Sequence, residues 1–163
     1  MDDIGQVRGI LAEINGACDA GFAVALHVSF STPRFLFQTY RPDWAKVYSE
    51  RGLVMHDPAV KWGLHNEGII DWADQEADDP ANVFALARDH GLKHGFTVGV
   101  NAGGTRSVGA FARTENPFTG EQVTSISDNF RCLHDLTQVD TSDHAVLSEL
   151  LKKLSIELTH DWT

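Results

Sequence analysis

The chain has 163 residues, of which 42% are hydrophobic and 22% are charged, a composition that suits one compact domain with an apolar core. Its formal net charge is −10, and its basic residues are few and scattered, so it has no patch of Lys and Arg that could displace the counterions of nucleic acid. The longest apolar stretch, residues 21–30, is too short to cross a bilayer.

The first half of the chain predicts a helix, a hairpin and two shorter helices. Residues 22–30 and 35–40 are rich in β-branched and aromatic side chains and flank a turn at residues 31–33, which predicts a β-hairpin. Pro42 opens a helix that runs to Arg51, and the pair Asp57-Pro58 caps the start of another. Before them, apolar residues at three- and four-residue steps predict an amphipathic helix that ends near Gly21: Ile4, Val7, Leu11, Ile14 and Cys18.

The second half predicts a helix over residues 81–90 with Asp79 as its N-cap, then a second hairpin from residues 95–101 and 107–113. Thr119 can cap the helix that follows. A last helix is predicted from near Ser142, with a leucine seam that is typical of paired helices: Leu147, Leu151, Leu154 and Leu158, widened by Leu150.

Hairpins separated by helices, without a β-α-β rhythm, predict an α+β fold with a mainly antiparallel sheet sandwiched between helical layers, an α-β-α arrangement. No internal repeat or linker divides the chain, so residues 1–163 are interpreted as a single domain. No basic segment followed by an apolar one comes after Met1, and Cys18 and Cys132 lack a Cys-x-x-Cys spacing. Both features favour a cytoplasmic protein.

Motifs of catalysis and metal binding are missing from the sequence. No His-Glu-x-x-His, Gly-x-Ser-x-Gly or P-loop pattern occurs. His90 and His94 are four residues apart, but Gly91 between them is predicted to end the helix that would align them. An enzyme and a metal or other cofactor are therefore not expected.

One constellation does point to a ligand. Tyr40, Trp44 and Tyr48 recur every four residues, and Asp57 and Trp72 follow. Such a stripe is usually core, but buried Tyr and Trp need partners for their polar atoms, and a buried carboxylate needs donors. Apolar rings with inward polar tips and one carboxylate suit an apolar ligand with a polar head.

These residues resemble the signature of LuxR-type autoinducer-binding domains. The resemblance is specific from the segment Tyr-Arg-Pro-Asp-Trp at residues 40–44, through Asp57-Pro58-Ala59-Val60, to Trp72, and it extends loosely over residues 5 to 140. Family ligands are N-acyl-homoserine lactones. The resemblance implies a sensor domain of a quorum-sensing transcription regulator that binds this class of signal, or a related acyl signal.

The resemblance also implies a role for each residue. Asp57 would accept the ligand amide N–H, Tyr40 would donate to the acyl carbonyl, and Trp44 would donate to the lactone carbonyl. Trp72 would pack beside the lactone ring. The other implied site residues are Tyr48, Leu36, Val83 and Leu92, which would line the tail channel, and Ala112, which takes a place where many members carry Ser or Thr.

Family members continue into a helix-turn-helix DNA-binding domain, and nothing after Ser142 in this sequence resembles a recognition helix. The chain is therefore expected not to bind DNA by itself, either as the sensor part of a longer regulator or as a stand-alone form. The alternative function is a short family member that inhibits a full-length regulator by heterodimerisation, and a third is an acyl-lactone hydrolase. Since these regulators typically act as dimers, a homodimer or a heterodimer with a related regulator is expected.

Overall fold

The structure is a computed structural model that describes residues 3–30, 32–138 and 149. Five antiparallel strands form one sheet in the order β2-β1-β5-β4-β3, with helices on both faces. This confirms the predicted α+β sandwich. The elements are α1 (Asp3–Ala17), β1 (Gly21–Ser29), β2 (Thr32–Gln38), α2 (Pro42–Glu50), α3 (Pro58–His65), β3 (Gly68–Asp71), α4 (Val83–Asp89), β4 (His94–Ala102), β5 (Thr105–Arg113) and α5 (Gly120–Leu136).

The two faces of the sheet differ in the size of their side chains. Because side chains alternate along a strand, one face of β1 carries Phe22 and Val24 while the other carries Ala23 and Ala25. The large side chains pack against α1 and α5 in a dense apolar core that also contains Phe111 and Phe130. The small side chains lie beneath α2, α3 and α4.

Most of the predicted helix starts are present. Oδ1 of Asp57 accepts the backbone N–H of Ala59 at 2.9 Å, so it caps α3 as predicted. Thr119 caps α5 through a reciprocal capping box with Gln122.

The predicted start of α4 at residue 81 is wrong by two residues. Asn82 adopts a left-handed conformation with φ of 56°, which interrupts the helix before Val83. Asp79 still satisfies this helix end from a distance, because its carboxylate accepts the N–H groups of Val83 at 3.0 Å and Phe84 at 2.9 Å. The predicted N-cap position at Asp79 is therefore wrong, because Asn82 is the N-cap, although the Asp79 carboxylate does accept N–H groups at the start of the helix.

The short edge strand β3 was not predicted, and the last helix cannot be compared. β3 has four residues and pairs with β4 through Ile69↔Val98 and Ile70↔Thr97. A strand of this length has too few alternations to be distinguished from a loop by its pattern. The helix expected from Ser142, with its leucine seam, lies outside the described residues. None of the helices in the described part of the chain is long and apolar enough to cross a membrane.

Candidate functional site

A cavity of about 480 Å³ lies between the sheet and the layer of α2, α3 and α4. Its walls are mostly apolar, with polar groups at a few positions, which is the usual composition of a small-molecule site of this size. Eight of the nine site residues expected from the sequence line it: Leu36, Tyr40, Trp44, Tyr48, Asp57, Trp72, Val83 and Leu92.

The floor of the cavity is made of alanines on the central strands. Across the sheet, Gln38, Ala23, Ala110 and Thr97 are successive register partners on β2, β1, β5 and β4. The next row along the strands contains Leu36, Ala25 and Val108. With only a methyl group at the centre of each row, the sheet leaves room for a ligand between itself and the helices. The packed aromatic side chains of the opposite face leave no such space.

Ala112, the ninth expected residue, does not line the cavity. It is completely buried, and its register partners are Gly21 on β1 and Gly95 on β4. Aromatic rings cover this row and occupy the space that a ligand would need. The ring of Tyr40 would meet a Cβ on Gly21, and the indole of Trp72 would overlap a Cβ on Gly95. The late-strand residues that do line the cavity are Val108 and Ala110.

A buried hydrogen-bonded pair forms the polar end of the cavity. The hydroxyl of Tyr48 donates to Oδ2 of Asp57 at 2.8 Å, while Oδ1 is held by the N–H of Ala59. Burial raises the pKa of Asp57, and the hydrogen bonds from Tyr48 and the backbone of α3 oppose that rise. Burial also raises the pKa of Tyr48, so its phenol stays protonated and remains a donor.

Two further hydrogen-bond donors lie on the cavity wall, one with a long hydrogen bond and one with none among the described residues. The hydroxyl of Tyr40 makes a long bond of 3.4 Å to the carbonyl oxygen of Ala110 on the floor. Burial raises the pKa of Tyr40, which keeps this hydroxyl protonated. Trp44 packs between the rings of Tyr48 and His90, at 5.7 Å and 5.3 Å between centroids. Among the described residues, its indole N–H has no hydrogen-bond partner. The cavity wall therefore carries the carboxylate acceptor of Asp57 and these two available aromatic donors.

The indole N–H of Trp72 is already bonded within the protein. It donates to Oγ1 of Thr97 at 3.0 Å, a contact between buried groups that fixes the ring over β4. The ring also packs against Phe84 at 5.6 Å between centroids. Trp72 can thus offer a ligand its apolar face, as the sequence resemblance implied, while its N–H is used to hold the ring in place.

The cavity has an apolar opening. Leu36, Val54 and Met55 line it and are exposed, with Met55 81% accessible. They lie on β2 and on the short 3-10 helix Leu53–Met55, between α2 and α3. An apolar chain bound in the cavity can therefore extend towards this side.

Several lining residues were not identified from the sequence. Thr97 has no local signal, since its importance comes from Trp72, 25 residues away. The floor alanines are unremarkable in the sequence and become meaningful only through the register of β1 and β5. Gln38 stands two residues before Tyr40 in a strand with clear alternation, and this parity would have placed both side chains on one face.

The fold and this enclosed, mostly apolar cavity with a few convergent polar groups define a domain that binds a small molecule. Among the described residues there is no cluster of His, Cys, Asp or Glu able to hold a metal ion. The family described as the autoinducer binding domain matches residues 17–131. The chain belongs to this family, the signal-sensing domain of LuxR-type quorum-sensing transcription regulators.

Individual relatives agree with this assignment. The transcriptional activator protein SolR of Ralstonia nicotianae is 30% identical over 152 residues, a match that covers 90% of this chain and 60% of SolR. The chain thus spans less than two thirds of the length of that relative. SdiA in complex with octanoyl-rac-glycerol shares the fold with a TM-score of 0.58 at 17% identity, over 85% of this chain and 64% of SdiA.

A second solved structure has the same fold. CepR2 from Burkholderia cenocepacia, an N-acylhomoserine lactone dependent transcription factor, has a TM-score of 0.52 at 14% identity, over 84% of this chain and 94% of that one. The relative SolR is a transcriptional activator, in agreement with the expectation of a binding domain.

Proposed function

We propose that this domain senses an N-acyl-homoserine lactone in the cavity beneath α2, α3 and α4. The observation that supports this most strongly is that one carboxylate acceptor, Asp57, and two available donors, Tyr40 and Trp44, line the same apolar cavity. An acyl lactone has the complementary set: one amide N–H, two carbonyl oxygens and an aliphatic chain.

The polar groups suggest one orientation of the ligand. Asp57 accepts the amide N–H, because its oxygens can take further bonds beside those from Tyr48 and Ala59. Tyr40 exchanges its long bond to the Ala110 carbonyl for the acyl carbonyl, and Trp44 donates to the lactone carbonyl. The lactone ring then packs on Trp72.

The acyl chain supplies the apolar part of the affinity. It runs over the alanine floor towards Leu36, Val54 and Met55, and Val83 and Leu92 also line the cavity. Each buried methylene contributes about 0.8 kcal/mol. The polar contacts thus select the class of ligand, and the length of the apolar channel selects the chain.

A related acyl signal without an amide is the principal competing ligand. The fold neighbour SdiA is solved with octanoyl-rac-glycerol, whose glycerol hydroxyls could donate to a carboxylate such as Asp57. Calorimetric titration with N-octanoyl-homoserine lactone and with octanoyl glycerol separates the two ligands. Tighter binding of the lactone supports the proposal, and binding of the glycerol ester alone refutes the lactone assignment.

We further propose that residues 1–163 act as one sensor domain in the cytoplasm, as a homodimer or paired with a related regulator. The relationship to transcription regulators supports this, and the leucine seam over residues 147–158 is the candidate contact. Pairing with a full-length regulator would allow the alternative role as its inhibitor. Co-purification of the chain with such a regulator, compared with the variant Leu151→Glu/Leu154→Glu, tests this.

A further inference from the structure

Gln38 is a polar residue on the cavity wall that the ligand head does not use. It lies at the end of β2, is half-buried, and faces the cavity together with Leu36. In residues 3–30 and 32–138 its side-chain amide has no hydrogen-bond partner. The other polar residue in its row, Thr97, is already bonded to Trp72.

The row across the sheet places Gln38 near the expected position of the acyl carbonyl. Gln38 pairs with Ala23, and Ala23 pairs with Ala110, whose carbonyl lies 3.4 Å from the hydroxyl of Tyr40. Neighbouring strands are about 4.8 Å apart, so two strand spacings separate Gln38 from Ala110. Ala23 between them carries only a methyl group, which leaves the path across the floor open to the Gln38 amide.

The next row towards the opening is apolar. It contains Leu36, Ala25 and Val108, so a chain that leaves the row of Gln38 meets apolar side chains in the next row. On this part of the wall, a polar group on the ligand would therefore find a hydrogen-bonding side chain in the row of Gln38 and not in the next row towards the opening. Gln38 shares its row with Ala110, whose carbonyl the Tyr40 hydroxyl contacts, so this row lies at the depth at which Tyr40 would bind the acyl carbonyl.

We propose that Gln38 is a specificity-determining residue that recognises an oxygen substituent on the acyl chain close to its carbonyl carbon. A carboxamide offers two N–H donors and one acceptor, so it can donate to a keto oxygen and can either donate to or accept from a hydroxyl. A saturated chain covers the amide without replacing its bonds to water, which carries a desolvation cost. The inference rests on the proposed binding of an acyl lactone in this cavity.

The test compares two ligands that differ only in the substituent, N-octanoyl- and N-(3-oxooctanoyl)-homoserine lactone, by calorimetric titration. Wild type should bind the oxo ligand about tenfold more tightly. Gln38→Leu should remove this preference and bind the unsubstituted ligand at least as well as wild type. Gln38→Met should behave in the same way as Gln38→Leu. Because Met keeps the unbranched shape of Gln, it shows whether the effect comes from the amide or from the shape of the side chain.

The matched control is Leu36→Ala, on the same strand and face. It should weaken both ligands by the same factor and keep the preference. Equal affinities in wild type, or a preference that survives in the Gln38 variants, would overturn the inference while leaving the proposed function intact. Absence of binding of both lactones to wild type would instead refute the proposed function, and the inference with it.

Discussion

The hydroxyl of Tyr48 donates to Asp57 at 2.8 Å, while the same carboxylate caps α3 through the N–H of Ala59 at 2.9 Å. One residue therefore fixes the helix that forms a wall of the cavity and presents the acceptor at its polar end. The sequence predicts Asp57 as a helix cap, and the resemblance implies that it is also a ligand contact. In the structure it is a cap that also lines the cavity.

Asp57→Asn should separate these two roles. Asn is as good an N-cap as Asp, so the free energy of unfolding should change by less than about 1 kcal/mol. Loss of the charged acceptor should weaken binding of N-octanoyl-homoserine lactone by about 2 kcal/mol, roughly thirtyfold. Calorimetry and urea denaturation measure the two effects. Unchanged affinity would show that the carboxylate is a cap alone.

Thr97 should matter because Trp72 depends on it. Thr97→Val keeps the shape of the side chain but leaves the buried indole N–H of Trp72 without its acceptor, at a cost of about 1–3 kcal/mol in stability. Binding of the lactone should also weaken, because the ring is no longer held over β4. The control is Thr97→Ser, which keeps the hydroxyl and should retain most of the stability and most of the affinity for the lactone. If Thr97→Val matches wild type in stability and in affinity, the hydrogen bond from Trp72 to Thr97 does not position the indole ring.

Filling the floor should weaken ligand binding without unfolding the protein. Ala110→Leu places a large side chain in the centre of the cavity, below the hydroxyl of Tyr40. Because the empty cavity has room for the larger side chain, the ligand-free domain should stay folded. The affinity for the lactone should fall by at least about tenfold, since the side chain occupies the ligand's space. The matched control, Ala102→Leu on the exposed end of β4, should bind normally. Normal binding by Ala110→Leu would place the ligand elsewhere.

A buried polar network on the other side of the sheet should make the domain sensitive to acid. His27, with φ of 56° at a bulge in β1, bonds to Thr105 at 2.7 Å and to Thr137 at 3.0 Å. Its ring lies 4.5 Å from that of His134, which bonds to Ser107 at 2.6 Å. The hydroxyl of Thr137 donates to the backbone of α5, so it accepts from His27 Nε2–H. The hydroxyl of Thr105 also lies 3.5 Å from the carbonyl oxygen of Ala102. Burial of the His27 ring disfavours its charged form.

Burial, and secondarily the neighbouring His134, lower the pKa of His27 to about 4. Because this is below its value in the unfolded chain, the unfolded state binds more protons between pH about 6.5 and 4. The contribution of neutral His27 to the free energy of unfolding is complete above pH about 6.5. It is lost as the pH falls to about 4, and the loss is at most about 3 kcal/mol. His27→Asn tolerates the positive φ and should show a flatter dependence in urea denaturation. An identical pH profile in the variant would exclude His27 as the cause.

The parts of the site that could be predicted from the sequence are those with a local signal. The four-residue spacing of Tyr40, Trp44 and Tyr48 and the Asp57-Pro58 pair identify one helix face and one helix start, and both lie on the cavity wall. Ala112 was assigned to the site on resemblance alone. It lies one row away from the cavity, under Tyr40 and Trp72, because two glycines allow the rings to cover that row.

The parts that could not be predicted depend on how distant strands pair. The floor exists because Ala23 on β1 and Ala110 on β5 are register partners 87 positions apart in the sequence. Thr97 acquires its role from a tryptophan on another element. Neither relationship leaves a periodic trace in the sequence, since each requires the register between β1, β5 and β4 to be known.

The most direct test of the central claim is the stability of the purified chain with and without N-octanoyl-homoserine lactone. A ligand that fills the cavity of the folded state stabilises it by about 2.7 kcal/mol at a hundredfold excess over its dissociation constant. We expect this increase in the free energy of unfolding in wild type, and an increase of no more than about 1.4 kcal/mol at the same ligand concentration in Ala110→Leu, because tenfold weaker binding leaves at most a tenfold excess. An unfolding curve that does not move with the octanoyl ligand or its dodecanoyl homologue would contradict the account.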